Sequence, residues 1–103
     1  MSAAVCATLA CLRAHEGECI VIEGTIAPSN EVPLLLRRIR LEDGTAVFVG
    51  AFKALSEEVL TANQNKRIRV AGRIFTGEIP RRYGIVARSA DPYLLDITGF
   101  RLL

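Results

Sequence analysis

The clearest pattern of hydrophobic and polar positions lies between Leu34 and Gly50, where two runs of β type flank a turn at 42–45. Gly44 can take the positive φ that a tight hairpin turn requires, and Asp43 tolerates it. The pattern therefore predicts a β-hairpin.

The first arm of this hairpin has two chemically different faces. Because side chains alternate along a strand, Arg38 and Arg40 share one face. The opposite face is apolar, with Arg37 at its edge, and carries Leu35, Ile39 and Leu41. We expect the hairpin to present a basic face and to bury an apolar one.

The N-terminal segment has a helical stripe. Ser2 can cap a short helix that runs to about Arg13, in which Val5, Leu9 and Leu12 recur at helical spacing. Three roles are open for it: packing on the domain, a frayed extension, or self-association.

Strand and helix patterns continue along the chain. Cys19–Ala27 is predicted as the first strand, and Gly24 lies on the same face as its isoleucines, where a glycine marks a bulge or a bend around a barrel. The later elements are a loop at 28–33, a helix over Phe52–Ala62 ended by Asn63–Asn65, a strand at Arg67–Phe75, a loop at Thr76–Tyr83, a short strand at Gly84–Ser89, and a tail at Tyr93–Leu103 with some strand character.

The composition is that of one globular domain. The chain has 103 residues, half of them hydrophobic, enough for a single core. No run reaches the roughly 18 to 20 apolar residues of a membrane span, so we expect no membrane partner. The apolar stretch Ala3–Leu12 has no Lys or Arg before it, which argues against a secretory signal. We therefore expect an intracellular protein.

Basic residues are concentrated in one part of the chain. The net charge is only +2, but the segment from Lys66 to Arg88 holds seven basic side chains against Glu78 alone, a net charge of +6. Nearly all of these cations are Arg, whose planar guanidinium suits phosphate and stacks on bases. A solubilising surface of exposed charges accounts for the same pattern.

The three cysteines, Cys6, Cys11 and Cys19, form an odd set with no C-x-x-C pair and only His15 nearby. This spacing predicts neither a zinc site nor a disulfide framework. We expect reduced thiols that behave as small hydrophobes, and no metal or other cofactor.

The order of predicted elements is strand with a mid-strand glycine, loop, hairpin, helix, strand, loop, strand. Over residues 18–97 this order resembles OB-fold nucleic-acid-binding domains, through I-V-I-E-G-T-I, R-R-I-R-L-E-D-G-T-A-V-F-V and K-R-I-R-V-A-G-R-I. The resemblance implies an all-β fold, a five-stranded Greek-key barrel with a helix between its third and fourth strands. We expect residues 1–17 to form a short helical extension and residues 18–103 to form the OB-fold domain.

The resemblance also implies a place for the ligand. In OB-folds, ligands lie across the second and third strands, between the loop joining strands one and two and the loop joining strands four and five. The flanking loops here would be 29–31 and 81–83, and the second combines two arginines with a tyrosine, as a single-strand site requires. The predicted nucleic-acid-binding residues are Arg38, Arg40, Phe48, Arg67, Arg69, Arg73, Arg81, Arg82 and Tyr83.

Aromatic side chains are sparse for a stacking platform. Phe48 can equally belong to the core, Phe75 can pack under a loop, and Tyr93 can cover the barrel end. This keeps a second role open, that of an OB-type protein–protein interaction subunit of a larger complex, which pairs or self-associates through the apolar segments 3–12 or 100–103. Sugar binding is a weaker alternative, since the chain has no Trp.

No pattern in the chain predicts catalysis. We find no nucleophile with a base, no paired carboxylates, no metal cluster and no glycine loop for phosphate. His15 with Cys11 or Cys19 would be a thiol–imidazole pair without a third group to orient it. We therefore expect a binding module and not an enzyme, with single-stranded DNA or RNA as the ligand and little sequence preference.

Overall fold

The computed structural model describes residues 4–27, 37–84 and 91–103. No helix in these ranges is long and apolar enough to cross a membrane. The strands are β1 Val5–Cys6, β2 Cys19–Ile26, β3 Arg38–Arg40, β4 Ala46–Val49, β5 Arg67–Phe75 and β6 Tyr93–Leu102; the helices are α1 Leu9–Ala14 and α2 Glu57–Ala62, with a 3-10 turn at Arg81–Tyr83.

Five strands close into a barrel in the order β2-β3-β4-β6-β5, and β5 pairs back onto β2. The β4–β6 pairing is parallel, and the other pairings in the barrel are antiparallel. With α2 between β4 and β5, this arrangement confirms the predicted all-β, OB-like barrel with two short helices.

The hairpin formed by β3 and β4 has the predicted features. Gly44 has φ +89° in the connecting turn. Ile39 is fully buried while Arg38 and Arg40 face outward, so the apolar and basic faces are both present. Leu35 lies outside the described residues.

Aliphatic side chains fill the barrel from alternate positions of its strands. In β2 and β5, every second residue is buried, as the pleat of a strand requires. Leu55 and Leu60, before and within α2, join the same core, as does Leu12 from α1.

Gly24 lies where β2 begins to pair with β3. A Cβ at this position would lie well inside van der Waals contact of the Arg40 carbonyl oxygen and 2.9 Å from Cγ2 of Ile39. The absent side chain therefore allows the two backbones to approach each other.

The N-terminal segment differs from the single predicted helix. Residues 5–6 form β1, which pairs in parallel with β2, and α1 begins only after it. Thr8 rather than Ser2 caps the helix, because the Thr8 hydroxyl accepts a hydrogen bond from the backbone N–H of Cys11 at 3.3 Å. Leu12 is fully buried, so the described part of this segment packs on the barrel.

The helix α2 begins later than predicted, at Glu57 rather than Phe52. Ser56 is extended, with φ −76° and ψ 167°, and its side chain accepts the backbone N–H of Val59, so it is the N-cap. After the helix, Asn65 has φ +66°, the left-handed conformation that asparagine tolerates.

The fifth strand of the barrel is β6, in the segment that the sequence predicted only as a tail. It pairs with β5 in antiparallel and with β4 in parallel. The predicted strand Gly84–Ser89 lies outside the described residues except for Gly84, which follows the 3-10 turn with φ +65°.

A disulfide joins Cys6 to Cys11, and Cys19 is the free cysteine. The prediction of three reduced thiols is therefore wrong. It placed both residues on one helix, where a separation of five turns side chains about 140° apart. A strand followed by a helix instead brings their Cα atoms to 5.4 Å, within disulfide range. The expected intracellular location rested on the missing features of a secretory signal and on reduced thiols, so it remains a prediction that has lost the second of these supports.

Arg37 holds the start of β3 to the chain that follows β4. Its guanidinium donates to the carbonyl oxygens of Val49, Gly50 and Leu55 at 3.1, 2.8 and 2.8 Å. Partial burial lowers the pKa of Arg37. Each of its three guanidinium nitrogens donates a hydrogen bond to one of these carbonyl oxygens. This arginine therefore serves the scaffold and not the outer surface.

The first prediction concerns the close approach at Gly24. Gly24→Ala forces β2 and β3 apart. We expect it to lower the free energy of unfolding by about 1–3 kcal/mol, the usual cost of overpacking. Gly99→Ala is the matched control, because a Cβ there meets nothing within 4 Å. Urea unfolding of the two variants measures the difference, and equal stability would contradict the stated role of Gly24.

The second prediction concerns Asp43, which ties the hairpin to α1. Its carboxylate accepts the backbone N–H of Leu9 at 2.8 Å and that of Thr45 at 3.0 Å. These two bonds, the first above all, lower the pKa of Asp43 in the folded protein. The stabilisation is thus present above the unfolded pKa of about 3.9 and is lost as the pH falls through the folded value.

Asp43→Asn removes this titration. We expect the melting temperature of the variant to fall less than that of the parent protein between neutral pH and about pH 2. This range includes the pKa of Asp43 in the unfolded chain. An identical acid dependence in the two proteins would show that the Asp43 contacts do not contribute.

Candidate functional site

Four barrel strands bring a row of flat side chains to the outer face of the barrel, where one of them, Phe75, is buried under other side chains. Arg38 on β3 lies opposite Phe48 on β4, Phe48 lies opposite Tyr93 on β6, and Tyr93 lies opposite Phe75 on β5. We call these four residues the outer row. Their neighbours along each strand face the core: Ile39, Val47, Leu94 and Ile74.

Phe48 is covered on both faces of its ring. The guanidinium carbon of Arg38 lies 5.0 Å from the Phe48 ring centroid, and the Tyr93 ring is stacked on Phe48 at 5.2 Å with an interplanar angle of 12°. Because β3 and β6 flank β4 on opposite sides, these contacts use opposite faces. These two contacts leave only the edge of the Phe48 ring uncovered, and the flat group beside it is the guanidinium of Arg38.

The Arg38 side chain is also held by an acid. Its Nη2 donates to Asp91 Oδ2 at 2.7 Å, and the Arg38 side chain is only 19% exposed. Asp91 precedes β6, so this ion pair fixes the outer row to the chain that enters β6. Nε of Arg38 is buried without a hydrogen-bond partner.

The 3-10 turn packs on the other end of the outer row. The Tyr83 ring meets Phe75 edge to face at 5.4 Å, and the Tyr83 hydroxyl donates to Asp96 Oδ2 at 2.5 Å. Phe75, Ile79 and Leu95 form a small buried cluster against Tyr83 and Tyr93. Phe75 thus packs under the loop, as one reading of the sequence expected.

Arg82 covers Tyr83 much as Arg38 covers Phe48. The guanidinium carbon of Arg82 lies 4.9 Å from the Tyr83 ring centroid, and its Nη2 donates to the Tyr83 hydroxyl at 3.2 Å. The hydrogen bond to Tyr83 raises the pKa of Arg82 above its ordinary value. Arg81 and Arg82 are both exposed. We call Arg81, Arg82 and Tyr83 the arginine turn.

Arg73 is bound to the scaffold. Its Nη1 donates to the carbonyl of Gly17 at 2.6 Å, and its Nε lies 3.7 Å from Asp96 Oδ2. Asp96 thus lies between Arg73 and the hydroxyl of Tyr83. Arg73 supports the arginine turn indirectly and is not part of the outer row.

Arg67 and Arg69 share one acid. Arg67 Nη2 and Arg69 Nε donate to the two carboxylate oxygens of Glu23, at 2.8 and 2.6 Å. The hydrogen bond from Arg69 is the largest cause that lowers the pKa of Glu23. Arg40 and Arg67 lie on either side of Thr25 and border a cleft of about 170 Å³ that also has acidic walls.

The predicted residues therefore fall into separate groups. The outer row and the arginine turn bring together Arg38, Phe48, Arg81, Arg82 and Tyr83. Arg40 is two residues from Arg38 on the same face of β3, about 7 Å away. Arg67, Arg69 and Arg73 are engaged elsewhere, and the flanking segment 29–31 lies outside the described residues.

Four residues that complete this surface were not among the predicted ones: Phe75, Tyr93, Asp91 and Asp96. The sequence left open that Tyr93 covers the barrel end, and in the structure its ring links Phe48 to Phe75. No local pattern reveals this, because the parallel pairing of β4 with β6 joins segments more than 40 residues apart. A tyrosine at the start of an apolar, strand-like segment was the only signal.

One group of possible metal ligands occurs among the described residues: Cys6, Cys11 and His15, whose ligand atoms lie within 4.8 Å of one another. Two of these three are joined in the disulfide. None of them belongs to the outer row or to the arginine turn.

The outer row and the arginine turn can do two things chemically. They present guanidinium groups, which attract anions, and planar surfaces, which stack on flat ligands. Comparisons with protein-family models, with curated protein sequences and with solved structures gave no significant match.

Proposed function

We infer that this protein is a small OB-type binding module for single-stranded nucleic acid, DNA or RNA, with little sequence preference. The strand would lie along the outer row, from the arginine turn across β6 and β4 to Arg38 and Arg40. The proposal is for binding and not for catalysis.

The observation that carries the proposal is a pair of aromatic rings capped by arginine. Arg38 covers Phe48, and Arg82 covers Tyr83, at the two ends of one surface. A guanidinium is planar, and bases stack on guanidinium planes as well as on aromatic rings. Arg82 over Tyr83 therefore supplies a flat surface and an exposed positive charge at one point. Arg38 over Phe48 supplies chiefly a flat surface, because Asp91 already neutralises part of its charge. Together they compensate for the small number of aromatic residues.

The ring beneath each arginine has a separate role. It limits the rotamers of a long side chain that would otherwise lose conformational entropy on binding. At Tyr83 the ring is itself fixed by Phe75 and Asp96, so Arg82 is positioned before any ligand arrives. Pre-organisation of this kind raises affinity without further contacts.

Phosphate contacts would come chiefly from the arginine turn. Arg81 and Arg82 are adjacent, exposed and located on the loop between β5 and β6, which borders the ligand groove in OB-folds. Arg67 and Arg69 contribute less, because Glu23 already neutralises part of their charge. We therefore expect binding that is moderate in affinity and sensitive to salt.

The third prediction tests this function directly. Fluorescence anisotropy with labelled single-stranded DNA and RNA should show binding whose log affinity falls with log salt concentration at about −0.7 per neutralised phosphate. A duplex of the same sequence should bind more weakly, since its bases are not available for stacking. Absence of binding to both single strands at low salt would overturn the proposal.

Two conservative variants separate stacking from charge within the same experiment. Arg82→Lys keeps the charge but loses the planar group over Tyr83, and we expect roughly 2- to 10-fold weaker binding. Arg81→Lys is the matched control, because Arg81 has no ring beneath it among the described contacts, and we expect little change. Equal effects of the two variants would contradict the role of the arginine-capped ring.

A different surface favours the second candidate, a protein-interaction subunit. One row of small apolar residues crosses four neighbouring strands. Its members, on β1, β2, β5 and β6, are paired each with the next: Val5, Val21, Ala71 and Gly99. Val5 is 48% exposed, and a shallow cleft of about 180 Å³ lies along the row beside Arg69. Small apolar side chains allow another flat surface to approach closely.

The fourth prediction tests this interface. If a second copy pairs through the row, light scattering should give a mass above that of the monomer at high concentration. Val21→Glu should restore the monomer, since it places a charge in the centre of the row, whereas the exposed change Lys53→Glu should not. A monomer at every concentration would contradict self-association through this row.

A further inference from the structure

The disulfide Cys6–Cys11 has a third possible ligand beside it. The sulfur atoms and a ring nitrogen of His15 lie within 4.8 Å of one another. Cys6 is fully buried, while Cys11 and His15 are partly exposed. Once the disulfide is reduced, the two sulfurs and the imidazole are three groups of the type that ligate zinc.

The local fold brings the three side chains together. Cys6 is held at the end of β1, opposite Ile22 on β2. Cys11 lies in α1, and His15 follows one turn later as the C-cap of the helix. Residues four apart on a helix share one face, the same spacing that places two ligands on one metal in helical zinc motifs. Sequence reasoning missed this site because its spacing, C-x4-C-x3-H, contains no C-x-x-C pair.

The imidazole of His15 is oriented by an acid. Nδ1 of His15 lies 3.2 Å from Oε2 of Glu18. An ionised carboxylate can only accept, so in the neutral imidazole this contact favours the tautomer with the proton on Nδ1 and the lone pair on Nε2. Metal-bound histidines commonly donate their other ring nitrogen to a carboxylate in this way. The turn at Gly17, which has φ +76°, brings Glu18 back toward His15.

We propose that the reduced protein binds one zinc-class divalent ion through the thiolates of Cys6 and Cys11 and Nε2 of His15, and that the disulfide closes this site. Two thiolates and one imidazole suit zinc, with the fourth position left to water. With Zn–S bonds of about 2.3 Å, the sulfurs of a tetrahedral site lie about 3.8 Å apart. The 5.4 Å between the Cα atoms accommodates that separation.

The disulfide form is converted to the metal-bound form by reduction followed by metal binding. A dithiol reductant gives two electrons and two protons to the disulfide, which becomes two thiols, and the reductant itself becomes a disulfide. The metal then displaces the two thiol protons to solvent. In either state, a bond network joins β1 to α1, through sulfur alone or through the ion.

The fifth prediction uses a Cys19→Ser background, which removes the one exposed thiol outside the cluster. Anaerobic titration of the reduced protein with Co²⁺ should produce a sulfur-to-cobalt charge-transfer absorption that saturates at one ion per chain and disappears when Zn²⁺ is added. The oxidised protein should give no such absorption. A reduced protein without this absorption, or an oxidised protein that shows it equally, would overturn the proposal.

Variants identify the ligands and their orienting acid. Cys11→Ser should remove the absorption, and His15→Gln should weaken binding while it leaves the disulfide of the oxidised protein intact. Glu18→Gln should lower the affinity roughly 10- to 100-fold with an unchanged spectrum, as expected for a residue that positions a ligand. Circular dichroism of each variant checks its fold. Affinity unaltered by His15→Gln and Glu18→Gln would show that the histidine is not a ligand and would overturn the site as proposed.

Discussion

The barrel depends on β2 being paired along both of its edges. It pairs with β5 over seven residue positions on one edge, and with β1 and then β3 on the other. The change of partner requires the β3 backbone to pass over Gly24, where any side chain would collide with it. Closure of the barrel fixes the register of β3 against β4 and of β4 against β6, and that register alone aligns Arg38, Phe48 and Tyr93. The surface proposed for binding is thus a consequence of how the barrel closes.

The arginines show that charge along the sequence is a poor measure of charge at a surface. Arg37 donates its three bonds to backbone carbonyls, and Arg67 and Arg69 meet Glu23, which lies 44 and 46 residues away in the chain. Arg82, by contrast, lies over a ring with its charge exposed. The net +6 of the basic segment therefore overstates the field that a polyanion would meet, and the position of each guanidinium matters more than their number.

The parts of this structure that the sequence predicted are those set by local chemistry. The hairpin follows from Gly44 and its alternating flanks, and the order of elements follows from the hydrophobic periods and the turn residues. The parts it missed depend on distant pairing. β1 was taken for helix because a two-residue strand has no period of its own, and it exists only because β2 offers an open edge. The disulfide was missed for the same reason, since it needs the break between β1 and α1.

The arginine turn illustrates how an irregularity of the barrel builds a site. Between Ala71 and Arg73 the pairing of β5 with β6 shifts register, so that more residues of β6 than of β5 fill the gap. Asp96 lies in this bulge with φ +50°, a conformation that aspartate tolerates better than most residues. In a regular strand, side chains would continue to point alternately to the two faces of the sheet at this position. The bulge instead leaves the Asp96 carboxylate exposed, where it accepts the hydroxyl of Tyr83 and thereby fixes the ring on which Arg82 lies.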